Sequence, residues 1–281
     1  MSASMPGNEN PQAACVVVFL DADTLPCGLA FEPAMAARID YRCHASTQPD
    51  EVLDRIADAE VLIVNKVRLT RDVLRHTTRL RCICIAAAGM DNVDLDAARE
   101  LGIAVHNVPG YGSDSVAEHV IATLLALRRH LIDYSRAAID GRWSAAEQFC
   151  WHGPRILPMA GSTLGIVGRG AIGQATAQLA QGLGMRVLYA QRPGRALADD
   201  ELPLDDLLAE CDAVSLHVPL SPETRGMMDA RRLALMQPHA ILINTGRGAL
   251  VDPLALAHAL RAQQLAGAAI DVLEVEPPAP G

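Results

Sequence analysis

The stretch Thr163-Leu-Gly-Ile-Val-Gly-Arg-Gly-Ala-Ile-Gly173 decides the fold that we predict for this chain. It joins a short apolar run to the spacing Gly168-x-Gly170-x-x-Gly173, and the helix-forming segment 174–180 follows. A strand, a glycine turn and a helix in this order are typical of a dinucleotide-binding unit. The alternative is a glycine-rich turn without a ligand, and it has less support because the strand and the helix flank the turn.

Each glycine of this turn has a mechanical role in the dinucleotide hypothesis. Gly168 permits the tight turn, Gly170 lets the backbone approach a pyrophosphate, and Gly173 lets the helix pack closely on the strand. The N–H groups at the start of the helix face the phosphates, and the helix dipole favours the negative charge there.

Composition and charge narrow the class of protein. The length of 281 residues suggests about two domains. A net charge of −9 argues against a nucleic-acid partner, because phosphate binding needs clustered Lys and Arg. The 7 cysteines lack zinc-site spacing and favour a reducing compartment. Residues 1–12 lack the features of a secretory signal, and no apolar run is long enough to span a membrane. We expect a cytoplasmic protein without a metal or a membrane partner.

Apolar runs alternate with helical segments along the chain, which predicts parallel sheets. The pattern breaks at Pro109-Gly110, and the segment 113–130 after it has apolar residues at helical spacing. We predict an α/β protein with two Rossmann-like, doubly wound parallel-sheet domains, 13–107 and 108–281, and the helix 113–130 belongs to the second. The predicted strands are 13–20, 61–64, 80–87 and 103–106, then 163–167, 185–190, 213–217, 240–244 and 267–271.

Ligands of doubly wound sheets lie at the carboxyl ends of the strands, so polar residues there are candidates for a site. Arg247, between two glycines, has a guanidinium suited to a carboxylate, although a surface-turn arginine is the alternative. Asp271 ends the last strand, and a carboxylate there can orient a catalytic base. Glu276 taken alone is typical of a solvated loop. His217 ends a strand, and we interpret it as structural, with its backbone facing a nucleotide.

Several motifs in fixed order resemble those of the D-isomer-specific 2-hydroxyacid dehydrogenases. They are Gly89-Met-Asp-Asn-Val-Asp94, Ser115-Val-Ala-Glu-His119, Val167-Gly-Arg-Gly-Ala-Ile-Gly173, His217-Val-Pro-Leu-Ser-Pro-Glu-Thr224, Ile243-Asn-Thr-Gly-Arg-Gly248 and Gly267-Ala-Ala-Ile-Asp-Val-Leu-Glu-Val-Glu-Pro277. Within that family, Phe19-Leu-Asp-Ala-Asp23, Val64-Asn-Lys66 and Gly141-Arg-Trp143 look most like glycerate dehydrogenases, also called hydroxypyruvate reductases.

The resemblance implies hydride transfer between NAD(P) and the C2 carbon of a small 2-keto or 2-hydroxy acid. Arg247 would bind the substrate carboxylate, Glu276 would pair with a catalytic histidine, and Ala88 and Gly89 would offer N–H groups to the substrate. Asp271 would contact the nicotinamide carboxamide. The other implied coenzyme contacts are Gly168, Arg169, Gly170, Ile172 and Gly173 for the pyrophosphate, Val218, Pro219 and Thr224 for the adenosine and phosphate side, and Thr245 for the nicotinamide. Family members are usually dimers, so we expect a homodimer built on 113–130.

The sequence departs from the expected pattern at the ribose. NAD sites usually carry an acid about twenty residues after the glycines. Here the strand ends Tyr189-Ala-Gln191-Arg192-Pro-Gly-Arg195, with no carboxylate. Gln191 can bond a ribose hydroxyl, whereas Arg192 and Arg195 can meet a 2′-phosphate. We lean to NAD, and NADP stays open.

A second departure concerns the catalytic base. In the family a histidine lies downstream of the glutamate, followed by a segment that completes the first domain, and we expect both to lie beyond Gly281. General acid–base help is typically worth about 10²–10⁴ in rate, so impaired turnover is the expectation. His119 and His152 are weaker candidates as substitutes. The alternative is a non-catalytic dinucleotide-binding protein.

Overall fold

The computed structural model describes residues 14–26 and 38–278. The chain divides into two units, Met1–Tyr111 and Gly112–Gly281. The prediction about a signal at 1–12 lies outside the described residues. No helix in the described ranges is long and apolar enough to cross a membrane.

A parallel sheet of five strands forms the centre of the first unit, in the order β2-β1-β3-β4-β5. The strands are β1 (Cys15–Phe19), β2 (Ile39–Cys43), β3 (Val61–Val64), β4 (Cys82–Ile85) and β5 (Ala104–His106). The helices are α1 (Val52–Ile56), α2 (Arg71–Arg75) and α3 (Leu95–Glu100). Strand order 2-1-3-4-5 is a doubly wound arrangement. The α/β prediction for this part of the chain is therefore confirmed.

Four of the five strands of this sheet lie close to their predicted positions, and one was not predicted. β2 was not predicted, because it is not a continuous apolar run and none of its residues is fully buried. It lies at the edge of the sheet and pairs only with β1 among the described strands. Thr70 caps α2, since its side chain accepts a hydrogen bond from the Val73 N–H.

Two helices begin the second unit, where one helix over 113–130 was predicted. They are α4 (Ser113–Arg128) and α5 (Leu131–Ile139). His130 lies between them in the left-handed region, with φ of 50°, so the chain turns there and starts a new helix. The end predicted at His130 is thus two residues late.

A six-stranded parallel sheet follows, in the order β11-β10-β9-β6-β7-β8. Its strands are β6 (Thr163–Val167), β7 (Arg186–Ala190), β8 (Glu201–Leu202), β9 (Ala213–Leu216), β10 (Ile241–Asn244) and β11 (Gly267–Ile270). Its helices are α6 (Ala171–Gly182), α7 (Leu204–Glu210), α8 (Ala230–Leu233) and α9 (Pro253–Arg261). The chain starts in the middle with β6, runs outward through β7, and returns to the other side with β9. The glycine turn therefore lies at the topological switch point, where such sheets bind ligands.

Alternating side chains of these strands build two separate cores. Ile241 and Ile243 of β10 face a cluster with α4 and α6, whereas Leu242 faces a cluster with α7, α8 and α9. Strands buried on both faces read as continuous apolar runs, which is why the sequence predicted them well. The doubly wound prediction for this unit is confirmed as well.

Candidate functional site

The three glycines of the turn after β6 are required for different reasons. Gly168 has φ of +112°, and a β-carbon added there would overlap the carbonyl oxygen of His217. A β-carbon at Gly173 would overlap the carbonyl oxygen of Gly168. One at Gly170 would meet nothing within 4 Å. Gly168 and Gly173 thus serve packing, whereas the absence of a side chain at Gly170 keeps a cradle open above the turn.

The start of α6 faces this cradle. Gly170 is its N-cap, without a side chain to cap the helix. The first N–H groups, from Ala171 through Gly173, have no acceptor within an α-helix, and the helix dipole adds partial positive charge. An open space beside uncapped N–H groups fits the pyrophosphate of a dinucleotide. The predicted residue Ile172 lies in this first turn and is half-buried.

Polar and cationic groups follow β7 where a carboxylate was absent from the sequence. The Gln191 side-chain amide donates a hydrogen bond to the Arg195 carbonyl over 2.7 Å. Arg192 and Arg195 are exposed. The amide nitrogen of Gln191 is thus engaged in its own loop, and the amide oxygen can still accept from a ribose hydroxyl.

Arg169 extends sideways from the glycine turn. Its guanidinium donates to both carboxylate oxygens of Asp200, over 2.9 and 2.6 Å, and lies 4.3 Å from the ring centroid of Tyr189. Because its side chain points towards β7 and β8, Arg169 can contact a pyrophosphate through its backbone N–H, as its predicted role requires.

The segment after β9 packs against the turn. The His217 N–H donates to the Val167 carbonyl over 2.7 Å, and Nε2 of His217 lies 2.9 Å from the Ser215 hydroxyl oxygen. Burial lowers the pKa of His217 to about 4, so the imidazole is neutral at pH 7. The predicted residues Val218, Pro219 and Thr224 follow in the loop, where the Thr224 hydroxyl donates to the Pro219 carbonyl over 2.8 Å.

Asn244 holds the turn that carries Arg247. This buried side chain donates to the Arg247 carbonyl over 2.9 Å and accepts from the Gly246 N–H over 3.1 Å. The Arg247 guanidinium is half-buried and donates to the Gly246 carbonyl over 2.8 Å. Thr245 has a buried hydroxyl that lacks a hydrogen-bond partner among the described residues. A buried unpaired hydroxyl is unusual in a folded protein and suits a ligand contact.

The segment after β11 lies against this turn. A β-carbon added at Gly248 would overlap the backbone of Leu273 and Glu274, so only glycine allows the close approach. Asp271 donates its N–H to the Asn244 carbonyl over 3.0 Å, and its carboxylate lies 3.6 Å from Nε2 of His119. Glu276 accepts from the Leu273 N–H over 2.7 Å.

The substrate residues predicted in the first unit lie in the turn after β4. Ala88 accepts a hydrogen bond from the Asn107 side chain over 2.7 Å. Gly89 is the next residue, and both lie at the carboxyl end of the parallel sheet of that unit. Their N–H contacts to a substrate stay a prediction.

Within the second unit, the structure brings the predicted residues to one edge, because they follow parallel strands of a single sheet. Sequence reasoning overlooked the role of Asn244 and the contacts of Asp200 and Tyr189. Asn244 could have been found as a polar residue that ends an apolar run. The ion pair between Arg169 and Asp200 could not have been found, because no local sequence pattern connects the two residues.

A cavity of about 370 Å³ lies elsewhere in the second unit, at the amino ends of β10 and β11. Its lining includes His239 and Ile241, and also Arg128, which is buried and has unpaired Nε and Nη1 atoms among the described residues. Because ligands of doubly wound sheets lie at the carboxyl ends of the strands, we do not assign the coenzyme to this cavity.

Comparison with known families agrees with this geometry. Residues 121–281 match the profile of the D-isomer specific 2-hydroxyacid dehydrogenase NAD binding domain, and residues 23–148 match that of the catalytic domain. The two profiles together extend over most of the chain.

Individual relatives show the same similarity. The chain is 40% identical to a glycerate dehydrogenase of Methylorubrum extorquens, over 94% of this chain and 83% of that protein. It is 35% identical to a hydroxypyruvate reductase of Blautia hydrogenotrophica, over 87% of this chain and 77% of the relative. The crystal structure of D-lactate dehydrogenase from Aquifex aeolicus, complexed with NAD and lactic acid, superposes with a TM-score of 0.79. That match is 29% identical and covers 92% of this chain and 77% of the other.

Proposed function

The chain belongs to the D-isomer-specific 2-hydroxyacid dehydrogenases, which are NAD-dependent oxidoreductases, and we propose that it reduces hydroxypyruvate and glyoxylate to D-glycerate and glycolate. The relatives named glycerate dehydrogenase, hydroxypyruvate reductase and glyoxylate reductase support this choice of substrates. The observation that carries the proposal is the geometry of the turn that contains Arg247. The Asn244 side chain bonds to the backbone of this turn, and Gly248 lets the turn pack against the segment after β11.

Arg247 recognises the substrate in this proposal. A guanidinium binds a carboxylate through two parallel hydrogen bonds, and its charge also draws electron density from the adjacent 2-keto group. The bond from Asn244 to the Arg247 carbonyl holds the backbone, so the side chain starts from a defined position. When bound, NADH would supply the hydride that reduces C2, and the 2-keto oxygen would take its proton from the catalytic histidine with which Glu276 is expected to pair.

Asp271 orients the coenzyme in this proposal, since its carboxylate can accept a hydrogen bond from a carboxamide. His119 lies 3.6 Å from Asp271 and limits the directions in which that carboxylate can turn. Thr245 offers its unpaired hydroxyl next to the same strand ends. Glu276 stays our candidate for the carboxylate that orients a catalytic histidine.

We favour NADH over NADPH as the coenzyme. The glycine turn fits the pyrophosphate that both share, so the distinction lies at the ribose. The Gln191 amide oxygen can accept from a 2′-hydroxyl, and the Arg169 guanidinium is already bonded to the Asp200 carboxylate. The exposed Arg192 and Arg195 favour NADPH and keep it as the second candidate.

Kinetics with the Arg247→Gln variant test the function. We expect the wild-type chain to oxidise NADH with hydroxypyruvate and glyoxylate at an impaired rate, because no histidine in the described part of the chain contacts Glu276. The variant should lose about 30- to 5,000-fold in kcat/KM, corresponding to about 2–5 kcal/mol for a truncated charge pair. Its NADH affinity should stay unchanged. The matched control is Arg261→Gln, an exposed arginine on α9. Equal losses in both variants would contradict the substrate role.

A coenzyme-binding protein without turnover is the second candidate. The observation in its favour is that the Glu276 carboxylate bonds to the Leu273 N–H, and no histidine in the described part of the chain contacts it. NADH binding with no oxidation above the rate without enzyme, on either keto acid, would select this candidate.

We also propose that the protein is a homodimer. The interface expected on 113–130 stays a prediction, and the exposed apolar side chains favour α5 and the loop after it. The long helix α4 buries its apolar residues against α6, within its own unit. By contrast, Ile139 and Phe149 are 84% and 93% exposed. Trp143, which is 55% exposed, donates its Nε1–H to the Phe149 carbonyl, so two of these exposed apolar residues lie side by side. A patch of exposed apolar side chains marks an interaction surface. Light scattering should show that Phe149→Asp shifts the protein towards monomer, whereas Leu254→Asp, an exposed position on α9, should not.

A further inference from the structure

Arg169 connects the glycine turn to residues of other segments through its side chain. Its guanidinium leaves the turn between two glycines, stacks on Tyr189 of β7 and bonds both oxygens of Asp200. Glu201, at the start of β8, lies 3.6 Å from the same guanidinium. The arginine thus joins the pyrophosphate turn to the two strands on the ribose side of the switch point.

Tyr189 and Gln191 place this ion pair beside the ribose. They are two residues apart, so their side chains point to the same face of the strand. Gln191 continues the ladder by donating its N–H to the Leu202 carbonyl over 2.8 Å. The Arg169 guanidinium stacks on Tyr189 and therefore lies on the same side of the sheet as the Gln191 side chain. Gln191 occupies the position at which NAD sites usually carry an acid.

Cations and acids both lie at this place. Arg169, Arg192 and Arg195 lie around the end of β7, and such arginines suit a 2′-phosphate. Asp200 occupies the fork of Arg169 with both oxygens, and it contributes a negative charge that repels a phosphate. No carboxylate ends β7, but the Asp200 carboxylate lies next to β8, the neighbouring strand at the edge of the sheet.

Stability alone does not account for this arrangement. The side chains of Arg169 and Asp200 are 45% and 42% exposed, and ion pairs between exposed groups contribute little to folding. Their geometry is nevertheless bidentate and supported by an aromatic ring, which fixes the guanidinium in one direction.

We propose that Asp200 is a specificity-determining residue that disfavours NADPH by holding and neutralising Arg169. This inference rests on the proposed function, because it assumes that the glycine turn binds a nicotinamide coenzyme. Glu201, at 3.6 Å, is the more distant acid, so loss of the two shorter bonds to Asp200 frees the Arg169 guanidinium to turn towards the end of β7. There it can join Arg192 and Arg195 as a ligand of the 2′-phosphate.

Fluorescence titration of the full chain with NADH and NADPH tests the inference without turnover. In Asp200→Asn, the ratio of the NADPH Kd to the NADH Kd should fall at least about tenfold, as for a charge-assisted bond gained. Asp199→Asn removes the same charge from the exposed neighbouring residue and should leave the ratio within about twofold. The double variant Arg169→Gln/Asp200→Asn should lose the gain, because the guanidinium itself is gone.

The outcomes separate this inference from the proposed function. If the wild-type chain binds neither coenzyme, the proposed function fails. If it binds NADH but the ratio is the same in wild type and Asp200→Asn, only the role of Asp200 is wrong. An equal shift in Asp199→Asn would reduce the effect to net charge and would also overturn the inference. Circular dichroism of each variant confirms the fold, and Asp200→Ser replaces Asp200→Asn if the latter does not fold.

Discussion

Gly170 and Gly173 are three residues apart, yet an added methyl group should affect different properties at the two positions: NADH affinity at Gly170 and stability at Gly173. At Gly173 it would overlap the Gly168 carbonyl, so we expect Gly173→Ala to lower the free energy of unfolding by about 1–3 kcal/mol, as overpacking does. At Gly170 it meets no protein atom, and we expect Gly170→Ala to keep its stability but bind NADH at least about tenfold more weakly, because the methyl group enters the cradle.

Urea unfolding and NADH titration of the same variants check this pair. Gly182→Ala is the control, because this glycine ends α6 in open space, and alanine there should raise helix stability by up to about 1 kcal/mol. A Gly170→Ala protein with unchanged NADH affinity would contradict the cradle.

His217 should make the stability depend on pH. Its pKa in the folded protein is about 4, below the ordinary value of 6.5, because burial disfavours the imidazolium. As the pH falls below 6.5, the imidazole in the unfolded chain takes up a proton before the buried imidazole does. The free energy of unfolding therefore decreases between pH 6.5 and 4, and the contribution of His217 to it is fully present above pH 6.5. The slope should reach about 1.4 kcal/mol per pH unit.

Urea unfolding across pH 4–7 measures this slope. His217→Gln retains a polar nitrogen near the Ser215 hydroxyl but cannot titrate, so its slope should be shallower than that of the wild type. His258→Gln, at an exposed position on α9, should keep the wild-type slope. Equal slopes in all three proteins would show that His217 does not titrate as its burial demands.

At the scale of elements, the turn after β10 depends on one side chain. Asn244→Ala leaves the Gly246 N–H and the Arg247 carbonyl without their partner, and we expect a loss of about 1–3 kcal/mol in stability. Because Arg247 is then poorly positioned, kcat/KM for hydroxypyruvate should fall about 10- to 100-fold. Ser215→Ala removes a buried hydrogen bond in β9 and should cost stability without raising KM. If Asn244→Ala kept the wild-type KM for hydroxypyruvate, the claim that this turn positions Arg247 for substrate binding would be wrong.

Prediction of the elements succeeded where burial is symmetric and failed where it is not. β6 and β9 are buried on both faces, and the sequence located them to within one residue. β2 and β8 lie at sheet edges, are partly exposed, and form no continuous apolar run. Edge strands are formed by pairing with a neighbour, and a local pattern does not contain that information.

The candidate site was predictable to the extent that it lies at strand ends. Gly168, Arg247 and Asp271 each follow an apolar run, and the parallel sheet brings such ends together. Contacts made by long side chains between elements were not predictable, as for Arg169 with Asp200, because they depend on the final distance between β6 and β8.

At the scale of the whole molecule, each unit has its own core. One cluster, which includes Leu62 and Ile83, draws only on the first unit, and the clusters around Leu164 and Leu242 draw only on the second. Units with separate cores can unfold independently, so a single two-state transition is not expected.

Unfolding in urea should therefore occur in two transitions by far-ultraviolet circular dichroism and in one by tryptophan fluorescence. The chain has 2 tryptophans, Trp143 and Trp151, and both lie in the second unit. Trp151 packs edge-on against Tyr134, with ring centroids 5.2 Å apart, so its emission should report the loss of that packing. NAD⁺ at about 100 times its Kd should stabilise the tryptophan-detected transition by about 2.7 kcal/mol and leave the other in place, because a ligand stabilises only the unit that binds it. If NAD⁺ moved both transitions equally, the two cores would unfold as one cooperative body, and the coenzyme would be coupled to the first unit as strongly as to the second.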